Sequence, residues 1–560
     1  MIRVLQFALI LVVLSCKSEP KQNQEQEETK QPNVLWIVTE DISPTLSFYG
    51  DNTAKTPALD KLASESIIYD NAYTTVGVCG PSRSTIITGM YPTSIGTMHM
   101  RTSHDVFSWG RRDYSAKVDI QDISGNTIRK YSAVIPDYIK CYTEYLREAG
   151  YYCTNNYKTD YQFAAPVTSW DENNQSAHWR NAPKGKPFFS IFNIDVSHES
   201  YLWRNKDLPL TVNPDDVPVP PYLPDNVATR NTIARHYSNV ELMDKRVENI
   251  IAQLKADGLY DNTIIFFYSD HGGPLPRHKR EIYDSGLKVP FIIKGLDGKP
   301  GRTDRLISFV DLAPTMLSLA GVEPPKYMEG KPFLGKYDNE EREYIFASSD
   351  RFDEFTDRIR ATRDKQYLYV RNDFPELPKY KDLAYRRNIP MMDTFLELRE
   401  AGKLNEVQQI WFQTKTKEEL YDCINDPFQI NNLADAPEYQ DVLLKMRGTL
   451  NAHFENRPDF GLTPEAEMIA NMWPNNQQPT TKTVNVSISN ASKGKNATLS
   501  CDTTGASMAY IISDQPIENL DFNSPWQLYT APIAVENGKL LYTIAHRIGF
   551  KASDIVSEEL

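Results

Sequence analysis

The chain has 560 residues, and its 61 Lys and Arg against 74 Asp and Glu give a formal net charge of −13. That length predicts several structural units or one large α/β domain with additions. A content of 40% hydrophobic and 24% charged residues excludes wholesale disorder. The acidic balance argues against nucleic acid as the main partner, because phosphate binding needs a basic face. Six cysteines are too few for a disulfide scaffold.

The first residues predict an export signal. Residues 1–15 contain one Arg and then an apolar run that is too short to span a bilayer. The segment that ends at Cys16 resembles the bacterial lipobox, so we expect lipidation of Cys16, with ordinary signal cleavage after Ser15 as the alternative. Residues 16–31 are rich in Gln, Glu and Lys and predict a tether. We therefore expect an exported bacterial lipoprotein, anchored to the outer or cytoplasmic membrane at the cell surface or in the periplasm.

Short apolar runs alternate with segments of helical periodicity up to about residue 340. The runs are rich in β-branched and aromatic side chains, as buried parallel strands are. This alternation predicts an α/β fold over residues 32–340, in which a mostly parallel central sheet is flanked by helices. The predicted strands are 33–39, 186–195, 262–268 and 289–294, and the predicted helices are 56–65 and 227–254.

Acidic residues and histidines follow three of these predicted strands. They are Glu40 and Asp41, then His198, then Asp270 and His271. Ligands of parallel sheets bind at the carboxyl ends of the strands. We therefore expect these side chains to converge on one site.

The pattern changes after residue 340. Short strands and one helix over 341–471 predict a smaller α+β C-terminal subdomain packed on the first domain. After a connector rich in Pro, Asn and Gln, short alternating strands predict an appended β-sandwich over 482–560. The predicted strands are 344–348, 367–371 and 419–421 in the subdomain, which also has a predicted helix at 438–454, and 483–489, 497–501, 508–512 and 540–545 in the sandwich.

One motif is specific to a chemistry. Residues 79–83 read CGPSR, and Thr88 and Gly89 follow. This pattern resembles the C-x-P-S-R…T-G signature of type I sulfatases in the alkaline phosphatase superfamily. The resemblance covers roughly residues 32–455. The other matching segments are Pro32-Asn33, Ser269-Asp270-His271-Gly272, Val289-Pro290, Leu420-Tyr421-Asp422, Asp426-Pro427 and Asn432-Leu433.

The resemblance implies a modified nucleophile at Cys79. In this family a maturation enzyme oxidises the cysteine to formylglycine, whose hydrate carries two hydroxyl groups. One attacks sulfur, and the other later expels sulfate and regenerates the aldehyde. We expect Cys79 at the start of a helix, where free backbone N–H groups favour an anion. Arg83 would lie one turn further on the same face and hold the nucleophile in place.

The resemblance also implies a divalent cation, Ca²⁺ rather than Mg²⁺, because oxygen-rich ligands suit Ca²⁺. Glu40 stands where family members have Asp. The positions that match the family's metal ligands are Glu40, Asp41, Cys79, Asp270 and His271.

Further matches imply groups that act on the sulfate. Lys158 matches a family Lys near the sulfate, whereas Asp160 stands where the family has His and would act as a base or orient a water. His198 is a candidate general acid for the leaving alcohol. Lys279 matches a Lys that grips the sulfate.

For some neighbours of these residues, the sequence is consistent with more than one role. His99 and Arg101 follow the signature helix and would either contact the sugar or pack the loop. Of the charged neighbours of Lys279, His278 and Arg280 are expected to be solvated loop charges. Cys141 and Cys153 could form a disulfide in an oxidising compartment.

The tail from residue 482 resembles the β-sandwich appended to some bacterial chitobiases. The matching residues are Pro532-Ile533 and the closing segment 549–553, which reads GFKAS.

Together these observations predict an exported, Ca²⁺-dependent formylglycine sulfatase that cleaves sulfate esters on a carbohydrate, such as algal ulvan or a glycosaminoglycan. A sulfamidase that cleaves N-sulfate is one alternative, suggested by the Glu-Asp strand end and the loop 274–277. A phosphonate or phosphate ester hydrolase of the same superfamily is another. An inactive, sulfatase-like protein that binds glycans through 482–560 is the third.

Overall fold

The central element of the fold is the first strand, which lies between two parallel neighbours in an eight-stranded sheet. The computed structural model describes residues 31–102, 120–296, 298–491 and 494–560. Cys16 and residues 1–15 lie outside this range, as does the tether apart from its last residue. Within the described range, no helix is both long and apolar enough to cross a membrane.

The sheet has the order β4-β3-β5-β1-β6-β7-β2-β8. Trp36 of β1 lies opposite Ile191 on one side and Phe266 on the other, so the middle of the sheet is apolar in both directions. The bounds are β1 Asn33–Thr39, β2 Ser66–Tyr73, β3 Tyr152–Asn156, β4 Glu172–Asn173, β5 Phe188–Ile194, β6 Thr263–Ser269, β7 Phe291–Lys294 and β8 Gly301–Ser308.

One strand runs against the others. β7 pairs antiparallel with both β6 and β2, so the sheet is mostly rather than wholly parallel, as predicted. An antiparallel neighbour needs no crossover to the far edge of the sheet. The segment 270–290 between β6 and β7 therefore begins and ends at the same edge, where the acidic residues lie.

Helices cover both faces of the sheet, as predicted. Leu35 and Ile37 face one buried cluster with α1 and α6, and Trp36 faces the other with α2, α4 and α8, because successive side chains of a strand point to opposite faces. The helices are α1 Pro57–Ala63, α2 Cys79–Thr88, α3 Pro92–Ile95, α4 Tyr142–Glu148, α5 Tyr201–Arg204, α6 Val227–Ala256, α7 Asp284–Leu287, α8 Leu312–Leu319, α9 Met391–Glu400, α10 Glu406–Gln409, α11 Gln440–Glu455 and α12 Glu465–Met472.

Three further sheets follow in the C-terminal region, and all are antiparallel. The first has the order β12-β11-β10-β9, with α11 packed on it. The other two, β13-β14-β17 and β16-β15-β18-β19, share a core to which Ala497 and Leu541 belong, so they form a sandwich. The predicted fold class is confirmed. The bounds are β9 Ile345–Ser349, β10 Ile359–Arg363, β11 Tyr367–Asn372, β12 Glu418–Asp422, β13 Asn485–Asn490, β14 Lys495–Ser500, β15 Ser507–Ser513, β16 Gln527–Leu528, β17 Ile533–Val535, β18 Leu540–His546 and β19 Val556–Glu559.

The cysteines of the described residues are free thiols. Cys141 precedes α4 and Cys153 lies in β3, and both are buried. Burial raises the pKa of Cys153 well above its ordinary value. The disulfide considered between these two residues is therefore not formed in the structure.

The sandwich docks on the α/β domain through close backbone contacts. Gly549, with a φ of +84°, lies against the carbonyl group of Ala133, and a Cβ atom there would overlap it. From the α/β side, Arg147 donates to the backbone carbonyl of Trp526 at 2.7 Å.

We expect Gly549→Ala to lower the unfolding temperature more than Gly538→Ala. Gly538 also has a positive φ, +81°, but faces open space. Both variants place a side chain in the left-handed region at a cost of about 1–2 kcal/mol. Only Gly549→Ala adds an overlap with the docked domain, worth a further ~1–3 kcal/mol. Differential scanning calorimetry checks this, and equal shifts for the two variants would contradict the docking role.

Candidate active site

The carboxyl ends of β1 and β6 hold the acidic residues of the site. Thr39 ends β1 and is followed by Glu40 and Asp41, while Asp270 follows β6. The backbone N–H of Asp270 donates to the carbonyl of Thr39 at 3.0 Å, and that of Asp41 donates to the Asp270 Oδ1 at 3.4 Å. Neighbouring parallel strands thus bring together three carboxylates that are far apart in sequence.

The signature motif begins a buried helix. α2 starts at Cys79, as predicted, so the thiol lies where free backbone N–H groups and the helix dipole favour an anion. Gly80 packs so closely against Gln162 that a Cβ atom would overlap the amide group. Ser82 donates from its hydroxyl to the backbone carbonyl of Asp270 at 2.6 Å, which ties the helix to the strand end.

Arg83 lies one turn after Cys79 and contacts three acceptors. Its Nε donates to Asp270 Oδ2 at 3.0 Å, and its terminal nitrogens donate to Asn193 Oδ1 at 2.7 Å and Glu40 Oε1 at 3.3 Å. Burial would lower the pKa of Arg83, but the two carboxylates raise it, so the guanidinium stays charged. Arg83 therefore holds both carboxylates in place beside the helix start.

Glu40 joins the more accessible side of the site. Its Oε1 lies 2.7 Å from Lys158 Nζ, and its Oε2 lies 3.9 Å from His198 Nε2. Burial raises the pKa of Glu40 above its ordinary value, although Lys158 opposes this. The side chains of Lys158 and His198 are 14% and 13% exposed, against 2% for Glu40. These two residues therefore form the mouth of the site.

Asp41 is the centre of the buried side. Lys279 Nζ lies 2.8 and 3.0 Å from its two carboxylate oxygens, and His271 Nε2 lies 3.0 Å from Oδ1. The backbone N–H of Glu199 also donates to Oδ2 at 2.7 Å. Burial alone would raise the pKa of Asp41, but the neighbouring cations, Lys279 first, hold it well below its ordinary value.

A second layer of alternating charges surrounds this centre. Arg280 donates to both carboxylate oxygens of Glu199, at 2.7 and 3.0 Å, and Lys279 lies 3.4 Å from the same group. Arg280 also donates to Asp353 at 3.0 Å, and Arg101 pairs with Asp353 from the other side. Sequence reasoning missed Glu199 and Asp353, because their partners are remote in the chain.

The expectation that His278 and Arg280 are solvated loop charges is wrong. Both are buried. Arg280 has a φ of +72°, and its backbone N–H donates to the carbonyl of Gly77 at 2.6 Å, which turns the loop inward. His278 Nε2 lies 2.9 Å from the hydroxyl of Tyr222, and burial lowers the pKa of this histidine to about 3.

The carboxylates and histidines could hold a metal ion. Oxygen donors suit hard divalent cations such as Ca²⁺. Burial would raise the pKa of Asp270, but His271 and Arg83 lower it, so its carboxylate is available as a ligand. The donor set therefore fits such a cation. Within the described part of the chain, two groups have ligand atoms within 4.8 Å of one another: Glu40 with Asp41 and His198, and Asp41 with Asp270 and His271.

The residues expected to touch the substrate differ in their placement. Asp160 joins the charged cluster, since its Oδ2 lies 3.7 Å from Lys158 Nζ. Arg101 stacks on the ring of Tyr385 at 4.1 Å, and that ring lies 6.4 Å from the ring of His198. Tyr385 therefore lines the approach to the mouth of the site.

His99 lies in a different setting. Its Nδ1 accepts from the backbone N–H of Arg351 at 3.2 Å, and its Nε2 lies 3.7 Å from Glu465. Burial lowers the pKa of His99 to about 4. Of the two roles expected for His99, these contacts fit packing of the loop rather than contact with the sugar.

A chain of asparagines supports the cations. The Asn193 amide, whose oxygen accepts from Arg83, donates to Asn155 Oδ1 at 2.9 Å. Asn155 in turn donates to Asn173 Oδ1 at 2.8 Å and to the carbonyl of Lys158 at 3.2 Å. Sequence reasoning missed these residues. The available signal was a polar Asn within the apolar strand β5, since a buried amide needs partners.

We expect Glu199→Gln to destabilise the protein by about 3–5 kcal/mol near neutral pH, because it breaks a buried ion pair. The control Glu418→Gln removes a partly exposed pair with Arg447, worth about 0–1 kcal/mol. Arg280 and Lys279 lower the pKa of Glu199 from 4.5 to about 2 despite its burial.

The carboxylate of Glu199 therefore stabilises the fold above pH ~4.5, and this contribution is lost as the pH falls toward 2. Thermal unfolding at several pH values checks the prediction. The difference in unfolding temperature between wild type and Glu199→Gln should shrink as the pH falls. A difference that stays constant down to pH 3 would contradict the prediction.

Comparison with known proteins matches the chain to the sulfatases. Residues 32–322 match the family model Sulfatase, and residues 277–374 match the model N-sulphoglucosamine sulphohydrolase, C-terminal. An ulvan-active sulfatase of Formosa agariphila is 43% identical over 98% of this chain and 95% of its own length. The N-sulphoglucosamine sulphohydrolase of Homo sapiens is 24% identical over 79% of this chain and 91% of its own.

The fold is also found among solved structures. The solved structure of a 2-O GAG sulfatase has a TM-score of 0.55 at 19% identity, covering 77% of this chain and 93% of that chain. Because the sulfatase model spans more than half of the residues and a relative aligns along nearly all of them, the chain belongs to the sulfatase family, whose members hydrolyse sulfuric esters.

Proposed function

We propose that this enzyme removes sulfate ester groups from ulvan or its oligosaccharides. The observation that carries the proposal is the 43% identity to an ulvan-active sulfatase along almost the whole chain, including the C-terminal sandwich. The mouth between Lys158 and His198 offers positive charge to an anionic group, and Tyr385, whose ring lies 6.4 Å from that of His198, would contact the attached sugar.

The nucleophile is formylglycine made from Cys79, which supplies a hydrated aldehyde with two hydroxyl groups. Arg83 orients Glu40 and Asp270 around this position. Lys158 and Lys279 place two ammonium groups where negative charge grows on the sulfate oxygens. Such preorganised charges stabilise the transition state.

His198 moves the proton. Burial and Lys279 hold the pKa of His198 well below its ordinary value, so the ring is neutral without substrate. A bound sulfate ester offsets the positive charges of Lys279 and Lys158, which favours the protonated ring. His198 Nε2 then gives its proton to the leaving oxygen of the sugar.

We propose Ca²⁺ as the cation, with Mg²⁺ less favoured because it demands stricter octahedral geometry. Asp41, Asp270 and His271 would hold it, with Glu40 and the modified Cys79 as the further positions that match the family's ligands. The cation would supply a charge that polarises the sulfate ester and the nucleophile.

A second candidate is cleavage of an N-sulfate. The observation that favours it is the match of residues 277–374 to the C-terminal model of N-sulphoglucosamine sulphohydrolase. This range includes Lys279, Arg280 and Asp353, so it reaches the second charged layer.

We infer that the enzyme works outside the cytoplasm. The sequence before residue 32 has the pattern of an export signal and a tether, so we propose a chain lipidated at Cys16 and held at a membrane. The proposed domains are 32–340, 341–471 and 482–560, as expected from the sequence.

The matured enzyme should release sulfate from ulvan oligosaccharides and much less from N-sulfated glucosamine, and should not cleave a phosphonate monoester. Cys79→Ala should abolish the release, because an alanine cannot become formylglycine and supplies no hydroxyl group to attack sulfur. Lys279→Ala should lower kcat/KM at least ~100-fold, a loss of ~3 kcal/mol in the transition state. Ion chromatography of the released sulfate checks these expectations. Faster release from the N-sulfated sugar would favour the second candidate instead.

Removal of the cation should lower activity and stability together, because a metal that binds only the folded protein stabilises it by mass action, about 2.7 kcal/mol at 100 times the Kd. Asp270→Asn should weaken Ca²⁺ binding while keeping the shape of the side chain. The exposed Asp435→Asn serves as a matched control. Calorimetric titration and thermal unfolding with EGTA check this. Full activity and an unchanged melting temperature after chelation would contradict it.

A further inference from the structure

A second pocket lies apart from the charged cluster, between the α/β domain and the sandwich. Its volume is about 620 Å³, which is within the range of small-molecule and saccharide sites. One wall comes from the segment 164–173 and the other from the loops 520–523 and 544–555. The second loop contains the closing segment 549–553 that marked the sandwich in the sequence.

An exposed aromatic ring stands over this pocket. Phe522 lines the pocket and is 60% exposed, so its ring is accessible to a ligand, and it lies 5.8 Å from the ring of His546. The loop that carries it is held firmly. Asp521 accepts from the backbone N–H of Asn523 at 2.9 Å, and the buried Trp526 donates from its ring to the Asp521 carbonyl at 2.7 Å. These bonds hold the backbone on both sides of Phe522 at the edge of the pocket.

Polar groups line the rest of the pocket. They include the amides of Asn173 and Asn523, the carboxylates of Asp521 and Asp554, and the ammonium group of Lys551. An apolar ring surrounded by donors and acceptors suits a pyranose, whose C–H face packs on an aromatic ring while its hydroxyl groups form hydrogen bonds at the edge.

The charge of the pocket indicates which sugars it takes. Carboxylates outnumber ammonium groups along its walls, since Glu172, Asp521 and Asp554 stand against Lys551, while Asp171 is paired with Arg147 at 2.9 Å. A sulfated unit would meet repulsion here, in contrast to the cationic mouth of the active site. The pocket therefore suits unsulfated sugar units.

The pocket is also close to the catalytic centre. Asn173, which lines the pocket, accepts from Asn155, and Asn155 accepts from Asn193, the partner of Arg83. Three consecutive hydrogen bonds thus connect the pocket wall to Arg83. A polysaccharide held at one site is kept at a raised local concentration near the other.

We propose that this pocket, defined by Phe522, Asn523, Asp554 and Asn173, is a second carbohydrate-binding site that holds unsulfated sugar units of the polysaccharide. The identity of that polysaccharide rests on the proposed function. The site would hold the polymer beside the active centre.

The test measures binding of chemically desulfated ulvan to the full mature chain by affinity electrophoresis and calorimetry. Wild type should bind it, Phe522→Ala should bind at least ~10-fold more weakly, and Phe522→Trp should keep the affinity because it retains an aromatic face. Ile488→Ala is the control, since Ile488 is exposed on the same sandwich and does not line the pocket.

The inference is overturned if wild type does not bind desulfated ulvan, or if Phe522→Ala binds it as tightly as wild type. Loss of binding in Ile488→Ala equal to that in Phe522→Ala would also overturn it, because the effect would then not belong to the pocket. Desulfated polymer undergoes no sulfate release. A failure here is therefore distinct from a failure of the proposed function, which is measured as sulfate released from native ulvan.

Discussion

The active site depends on the mutual neutralisation of buried charges. Glu40, Asp41 and Asp270 lie side by side and almost fully buried, an arrangement that like-charge repulsion and lost hydration would forbid in isolation. Arg83 and Lys279 provide the opposing charges within hydrogen-bond distance. Removal of one member would leave an uncompensated buried charge, which costs far more than an exposed pair contributes. The strand ends, the signature helix and the loop before β7 are all placed so that this network closes.

Two departures from the family pattern act on the accessible side of the network. Glu40 replaces an Asp, and its longer side chain reaches Lys158 and approaches His198. Asp160 replaces a His and lies near the same Lys158. Lys158 is thus flanked by two carboxylates, at 2.7 and 3.7 Å. An anionic group that binds Lys158 must compete with both carboxylates for it.

The strands and helices that could be predicted are those whose signal lies in the spacing of nearby residues. The apolar strands 33–39 and 262–268 and the long amphipathic helix were confirmed, because the spacing of their apolar residues is a local signal. The start of α2 at Cys79 was also confirmed, but that prediction came with the signature motif, since the helix has no side-chain cap. The convergence of Asp41 with Asp270 followed from the rule that strand ends of a parallel sheet meet. The orientation of β7 could not be predicted, since an apolar run has the same pattern in either direction.

The residues that sequence reasoning missed or misplaced share one property: their partners are remote in the chain. Arg280 was expected in solvent because a run of charges is usually solvated, yet it pairs with Glu199 and Asp353. Asn193 acts through Arg83, 110 positions away. Ion pairs and amide chains of this kind become visible only once the strands are side by side.

We propose that this charged network surrounds a nucleophile made from Cys79. Mass spectrometry of the peptide that contains residue 79, taken from enzyme fractions of different activity, tests it most directly. The fraction of peptide carrying an aldehyde in place of the thiol should rise in proportion to the specific activity. A fully active preparation in which Cys79 is entirely an unmodified thiol would contradict the account.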